Sequence, residues 1–254
     1  MTAALSLGIA AAAGPDLAER VAPAAEAAGF HALWVNDTPG HDALAVLAAA
    51  ATATERLVLA TGVLPVDRRT PDDIAVAASG LPAGRLVLGI GSGQARSGAV
   101  ELVTDAAAAL RRRTDARVVV GALGPRMRRA AAAASDGVLL SWLTPQTAAA
   151  QAAEAHAITP ETHVALYVRT AVDDAAVAAL DEETARYAGY PAYAANFARL
   201  GVDPAETVIR PAVLRDRIAA YRAGVDEVVL RAITPTGSAD DHLRFIDAIV
   251  EAVA

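Results

Sequence analysis

Lysine and cysteine are both absent from this chain of 254 residues, in which all 22 Lys+Arg positions are arginine. Without a lysine amine there can be no Schiff-base aldolase, pyridoxal-phosphate enzyme or Walker-A nucleotidase. Without cysteine there are no thiol nucleophiles, zinc-cysteine sites, disulfides or CxxC redox pairs. What remains is acid-base work, metal binding through histidine and carboxylates, or chemistry borrowed from an organic cofactor. Positive charge is also in short supply. A net charge of −7 and a pI near 5.2 leave no electrostatic footprint for nucleic acid or an anionic membrane. The two arginine clusters, Arg111-Arg112-Arg113 and Arg126/Arg128/Arg129, fall in expected helices and read as solvated faces.

Charge-free apolar runs stay short of the roughly 18 to 20 residues that a membrane span requires. The first fifteen residues imitate a secretory leader, but no basic residue precedes the apolar run. Gly14-Pro15 then leads into Asp16-Leu17-Ala18-Glu19-Arg20, so a strand followed by a helix start fits better. The expectation is a soluble cytoplasmic protein.

Eight β-branched or Leu-rich runs alternate with Ala-rich helical stretches: Leu5 to Ile9, Ala32 to Asn36, Leu57 to Val63, Leu86 to Ile90, Val118 to Leu123, Val138 to Leu143, Val164 to Val168 and Val228 to Ile233. Most are apolar at successive positions, as buried parallel strands are. Repeated βα units of this number predict a (β/α)8 TIM barrel in which residues 1–254 form a single domain. The interval between the seventh and eighth runs is about twice the others, so extra helices are expected there. Asp173 to Tyr187, Ala194 to Leu200 and Pro211 to Ala223 supply them. Caps mark the other helices: Asp16 to Ala28 stops at Gly29, and Thr70-Pro71-Asp72-Asp73 and Thr144-Pro145 open helices directly after strands. Short βα connections build the C-terminal rim, where barrels carry their active sites.

Chemistry is therefore sought at strand ends. The second strand closes on Asn36-Asp37-Thr38-Pro39-Gly40-His41-Asp42, a polar cluster able to exchange protons or hold a metal, or else to shape a turn and cap the next helix. No His-x-His occurs, which argues against a histidine-bound binuclear centre. The third strand contains Gly62, a bulge or a close approach. The fourth ends Gly89-Ile90-Gly91-Ser92-Gly93-Gln94. This is not the dinucleotide fingerprint, because the last glycine of G-x-G-x-x-G is replaced by Gln94 or Arg96. Its alternate glycines would let a flat ring or a phosphate approach the main chain. Gly124-Pro125 after the fifth strand places a fresh helix N-terminus at the rim, suited to an anion.

These strand ends, in this order, resemble the luciferase-like monooxygenase superfamily, which includes flavin-dependent monooxygenases and deazaflavin (F420)-dependent oxidoreductases. The resemblance rests on Ala27-Ala28-Gly29-Phe30 with Trp34-Val35-Asn36-Asp37, Thr54-Glu55-Arg56-Leu57 with Ala60-Thr61-Gly62-Val63, Arg69-Thr70-Pro71, Gly84 to Gly93, Ala122-Leu123-Gly124-Pro125 and Asp136 to Leu140. It implies an oxidoreductase acting on a small organic substrate, often as a homodimer, with coenzyme F420 or alternatively FMN as cofactor. It further implies that Asn36, Gly62, Val63, Leu64, Gly91, Ser92, Gly93, Gln94, Ala122, Leu123 and Gly124 line the cofactor, with a non-prolyl cis peptide at Gly62-Val63. No resident metal is expected. Deazaflavin-dependent relatives commonly close the second strand with Asp-His, whereas Asp37 is followed here by Thr38, and Gln94 stands where some have Glu. Asp37 and His41 are then the proton-donor candidates. A chain shortened between the fourth and fifth strands suggests a trimmed lid, which suits hydride transfer better than oxygen chemistry needing protection from water. A non-catalytic barrel subunit is the reading from a different class.

Overall fold

The direction in which each strand side chain points sorts this sequence into two layers. Most large aliphatics of the strands fall on one parity: Leu7 and Ile9, Leu33 and Val35, Leu86, Leu88 and Ile90, Leu166 and Val168, Val228 and Leu230, all packed in one core shared with the helices. The opposite parity carries Ala32, Trp34, Ala60, Val87, Val119, Leu139, Ala165, Tyr167 and Val229, which form a separate inner cluster. The computed structural model describes residues 2–95 and 97–254, so Met1 and Arg96 lie outside the described residues.

Eight parallel strands make the barrel: β1 (Ala4–Ala10), β2 (Ala32–Asn36), β3 (Val58–Thr61), β4 (Leu86–Gly91), β5 (Arg117–Gly121), β6 (Gly137–Ser141), β7 (His163–Thr170) and β8 (Glu227–Ala232). Their spatial order is β3-β2-β1-β8-β7-β6-β5-β4, and the pairing of Leu59 with Leu86 and Ala60 with Val87 joins β3 to β4 and closes the ring. The third predicted strand is interrupted: β3 stops at Thr61, and pairing resumes two residues later at Leu64–Pro65, opposite Ile90 and Gly91.

The helices are α1 (Pro15–Ala27), α2 (Ala43–Ala53), α3 (Pro71–Ala78), α4 (Ala99–Arg111), α5 (Pro125–Ala134), α6 (Pro145–Ile158), α7 (Val177–Ala188), α8 (Pro191–Leu200), α9 (Leu214–Arg222) and α10 (Ala239–Val253). Their starts are chemically defined. Thr70 and Asp73 form a reciprocal capping box on α3, Asp42 accepts from Leu44 N at 2.9 Å on α2, and Thr144 and Ser238 cap α6 and α10. Each such cap is worth about 1 kcal/mol. As the long interval predicts, α7, α8 and α9 all lie between β7 and β8, with Pro191 opening α8 rather than merely breaking the preceding helix. Among the described residues no helix is long and apolar enough to cross a membrane.

A buried network seals the floor of the barrel. Glu227 accepts from Ser6 Oγ at 2.5 Å and Trp34 Nε1 at 2.6 Å, and its other carboxylate oxygen lies 2.7 Å from His163 Nε2. Burial works against the Glu227 charge. The His163 contact and the Ser6 and Trp34 donors outweigh it and hold the carboxyl below its ordinary pKa.

Candidate active site at the C-terminal mouth

The inner parity delivers small residues to the mouth on four strands, namely Ala10, Gly91, Gly121 and Ser141, and larger polar ones on three: Asn36, Arg169 and Arg231. Gaps left by the small residues are partly filled by the interrupted β3. The Gly62-Val63 peptide is cis, and Val63 projects between β4 and β5. A methyl on Gly91 would lie 2.6 Å from Val63 Cγ2, and one on Gly121 would lie 3.0 Å from Val63 Cγ1. Likewise a methyl on Gly89 would meet Thr61 O at 1.9 Å, and one on Gly93 would meet the Asp67 carboxylate at 1.8 Å. The alternate glycines of β4 thus let this chain's own β3 segment approach.

Asn36 organises the floor of the mouth. Its side-chain amide donates to Gly62 O, while its Oδ1 accepts from the Tyr167 hydroxyl at 2.7 Å. Burial raises the Tyr167 pKa, so the phenol stays a proton donor in that bond. Tyr167 in turn fills the space beside Gly8, where a methyl would sit 2.7 Å from its hydroxyl.

On the β6–β7 side the mouth is covered. Arg169 is 4% exposed, donates to Ser141 Oγ at 2.6 Å and pairs with Glu183 of α7 at 3.1 Å. Its guanidinium stacks 4.2 Å from the Trp142 ring and 4.7 Å from Tyr187. Tyr190, Tyr193 and Phe197 extend the cluster across α7 and α8. Trp142 reaches its place by adopting φ 59°, a conformation rare for a bulky residue, immediately after β6.

The sequence-predicted residues divide into three groups. Asn36, Gly62, Val63 and Gly91 meet at the mouth, with Ser92, Leu123 and Gly124 on the adjoining rim. Leu64 and Ala122 are buried in the outer core against the helices, because the interrupted strand and the end of β5 turn them outward. Gly93 and Gln94 lie on an exposed turn tied down by Asp67, whose carboxylate accepts from Gln94 N at 2.9 Å. Of the proton-donor candidates, Asp37 is half-buried, and desolvation raises its pKa despite the Ala43 N–H and Arg69. His41 lies on the exposed loop before α2, and it is Asp42 that caps that helix. Among the described residues no cluster of three or more His, Asp or Glu could hold a metal. Tyr167, Arg169, Trp142 and Arg231 were not expected. Their signal was an arginine at the end of each of two apolar strands, which the apolar pattern absorbs.

Two polar atoms at the rim, Thr38 Oγ1 after β2 and Trp142 Nε1 after β6, are buried without a partner. A flat ring with a polar edge is the kind of group that satisfies such atoms. The α5 N-terminus adds room for a tail, since a methyl on Gly124 would meet nothing within 4 Å. The donor set therefore fits a flavin-type cofactor.

Comparison with known proteins agrees with this fold. Residues 3–112 match the family described as luciferase-like monooxygenase. Among solved structures, the F420-dependent tetrahydromethanopterin reductase from Methanopyrus kandleri is 17% identical with a TM-score of 0.77, covering 100% of this chain and 99% of that one. The monooxygenase RslO1 from Streptomyces bottropensis is 18% identical with a TM-score of 0.73, covering 98% of both chains. The oxygenating constituent of 3,6-diketocamphane monooxygenase from Pseudomonas putida, solved with FMN, is 13% identical with a TM-score of 0.72, covering 100% and 98%. No curated protein matches the chain.

Proposed function

We propose that the chain belongs to the luciferase-like monooxygenase superfamily, whose model matches residues 3–112, and that it is a single-domain oxidoreductase that holds a flavin-type cofactor in the mouth of its barrel and acts on a small organic molecule. The observation that carries this reading is the Tyr167–Asn36–Gly62 hydrogen-bonded floor beside Val63, flanked by the unpartnered Thr38 and Trp142 donors. The cofactor supplies the two-electron redox chemistry when bound. Asn36, Gly62, Val63 and Gly91 would hold its ring, with Thr38, Trp142 and the α5 N-terminus satisfying its polar edge and tail.

FMN takes precedence over F420 as the cofactor, and monooxygenation over simple hydride transfer. Several similar structures are monooxygenases. A trimmed lid between β4 and β5 favours F420, yet α7 and α8 lay an aromatic cover over the β6–β7 side of the mouth, the kind of water exclusion that oxygen chemistry needs. F420-dependent hydride transfer is the second reading, favoured by the tetrahydromethanopterin reductase and by an F420-dependent secondary alcohol dehydrogenase of the same fold. In either case the proposed proton donor is Asp37, whose half-burial and raised pKa support the role, with His41 on the neighbouring loop as the alternative. A homodimer in the cytoplasm completes the proposal.

Isothermal titration calorimetry with FMN and with F420 tests the reading. Saturable binding of one of them is expected, and Asn36→Ala should weaken it about tenfold or more, the loss of an organising hydrogen bond. If neither cofactor binds, the proposal fails.

A further inference from the structure

Few ionisable side chains occupy the inner parity of the eight strands, and nearly all are accounted for. Glu227 and His163 satisfy each other at the floor, 2.7 Å apart. Arg117 lies exposed at the start of β5, and Arg169 is neutralised by Glu183. Arg231 on β8 differs. Among the described residues it has no carboxylate partner, and its guanidinium donates to the backbone carbonyl of Ala232. It is half-buried in a chain that carries 29 acidic residues against 22 basic ones, so counter-ions are plentiful and none is placed here.

The position makes that omission costly. Arg231 pairs directly with Arg169 across the β7–β8 ladder, so two guanidiniums extend from neighbouring positions on the same face. Glu183 offsets only one of them. A half-buried charge without a partner is unfavourable, and an anion arriving at the mouth would relieve both the desolvation and the repulsion. Arg231 is also next to the floor of the mouth. A methyl on Gly8 would lie 3.1 Å from Arg231 Cα and 2.7 Å from the Tyr167 hydroxyl, which places the arginine beside the Tyr167–Asn36 pair. The α5 N-terminus, suited to a cofactor tail, stands three strands away around the ring.

We propose that Arg231 is the specificity-determining residue of this site and that the substrate is an organic acid, held by its carboxylate or sulfonate against the guanidinium on the β8 side of the mouth. This rests on the flavin-type reading above and names its substrate class. An anion could reach Arg231 from a substrate or from the phosphate of the cofactor, and its place beside the floor rather than beside α5 favours the substrate.

The test uses protein saturated with whichever cofactor it binds, and calorimetric titration with hexanoate and hexanesulfonate against hexanamide and 1-hexanol. The acids should bind and the neutral analogues should not. Arg231→Gln should weaken acid binding about 10- to 100-fold, the loss of a charge-assisted hydrogen bond, and leave cofactor affinity unchanged. Arg231→Lys, which keeps the charge but not the two-pronged geometry, should retain part of the affinity and serves if the Gln variant does not fold. Equal binding of acids and neutrals, no binding of acids, or acid binding indifferent to the substitution would each overturn the proposal. So would a loss of cofactor affinity in Arg231→Gln, which would assign the guanidinium to the cofactor's phosphate. Failure of the cofactor reading is read separately, from the first titration of the wild-type protein. In that event, acid binding to the bare protein that Arg231→Gln abolishes would still support the arginine's role.

Discussion

Gly89 shows how much of this barrel depends on single atoms. Its missing side chain is what lets the Thr61 carbonyl approach β4, and an added methyl would overlap that oxygen at 1.9 Å. Because the obstacle is backbone and not a flexible side chain, Gly89→Ala is expected to destabilise by about 1–3 kcal/mol or more. For a domain of this size, that lowers the melting temperature by about 2–4 °C per kcal/mol, measurable by calorimetry. A melting temperature equal to wild type would show that β3 shifts freely. The alternate glycines were legible in the sequence, but their neighbours were not. A Gly-x-Gly run reports that something comes close to the main chain without saying whether it is a ligand or the chain itself. Arg169 and Arg231 escaped notice for a related reason: each sits in an apolar strand, and only closure of the ring decides that their parity faces inward.

Helix and strand elements were read more reliably than individual contacts, because periodicity and caps are local. Thr70, Thr144 and Gly124-Pro125 mark helix starts in the sequence, and the structure begins α3, α6 and α5 there. The insertion after β7 was expected from length alone. What it does was hidden, since the contacts that matter join Tyr187 and Glu183 to Trp142, just after β6, and to Arg169 on β7. Arg169 is the pin between insertion and barrel. Arg169→Met leaves Glu183, which is only 14% exposed, with the more exposed Arg186 at 3.6 Å as its remaining partner, and should cost about 1–3 kcal/mol in denaturant unfolding. The loss should be concentrated in α7 and α8, so limited proteolysis near Gly189-Tyr190 should accelerate more than global unfolding does. Uniform protection along the chain would contradict a pinned insertion.

For the molecule as a whole, the floor network couples stability to acidity. The folded state holds Glu227 below the ordinary pKa of a glutamate, so its contribution is fully present above the unfolded value of about 4.3. It is lost as pH falls through the lower, folded-state value. The melting temperature should therefore drop as the solution is acidified below about pH 4.5. Glu227→Gln, which leaves His163, Ser6 and Trp34 facing a neutral amide, should be less stable at neutral pH by about 3 kcal/mol and show a shallower acid slope. Identical acid slopes for the two proteins would remove Glu227 from this role.

The scarcity of aromatics has an optical consequence. The chain has two tryptophans, and they mark opposite ends of the barrel: Trp34 donates to the floor carboxylate at 2.6 Å, and Trp142 lies under the Arg169 guanidinium at the mouth. Both are 1% exposed, so neither emission is set by bulk water. Intrinsic fluorescence then has one component that follows the protonation of Glu227 and another that follows the insertion, and replacing either indole by phenylalanine isolates the other.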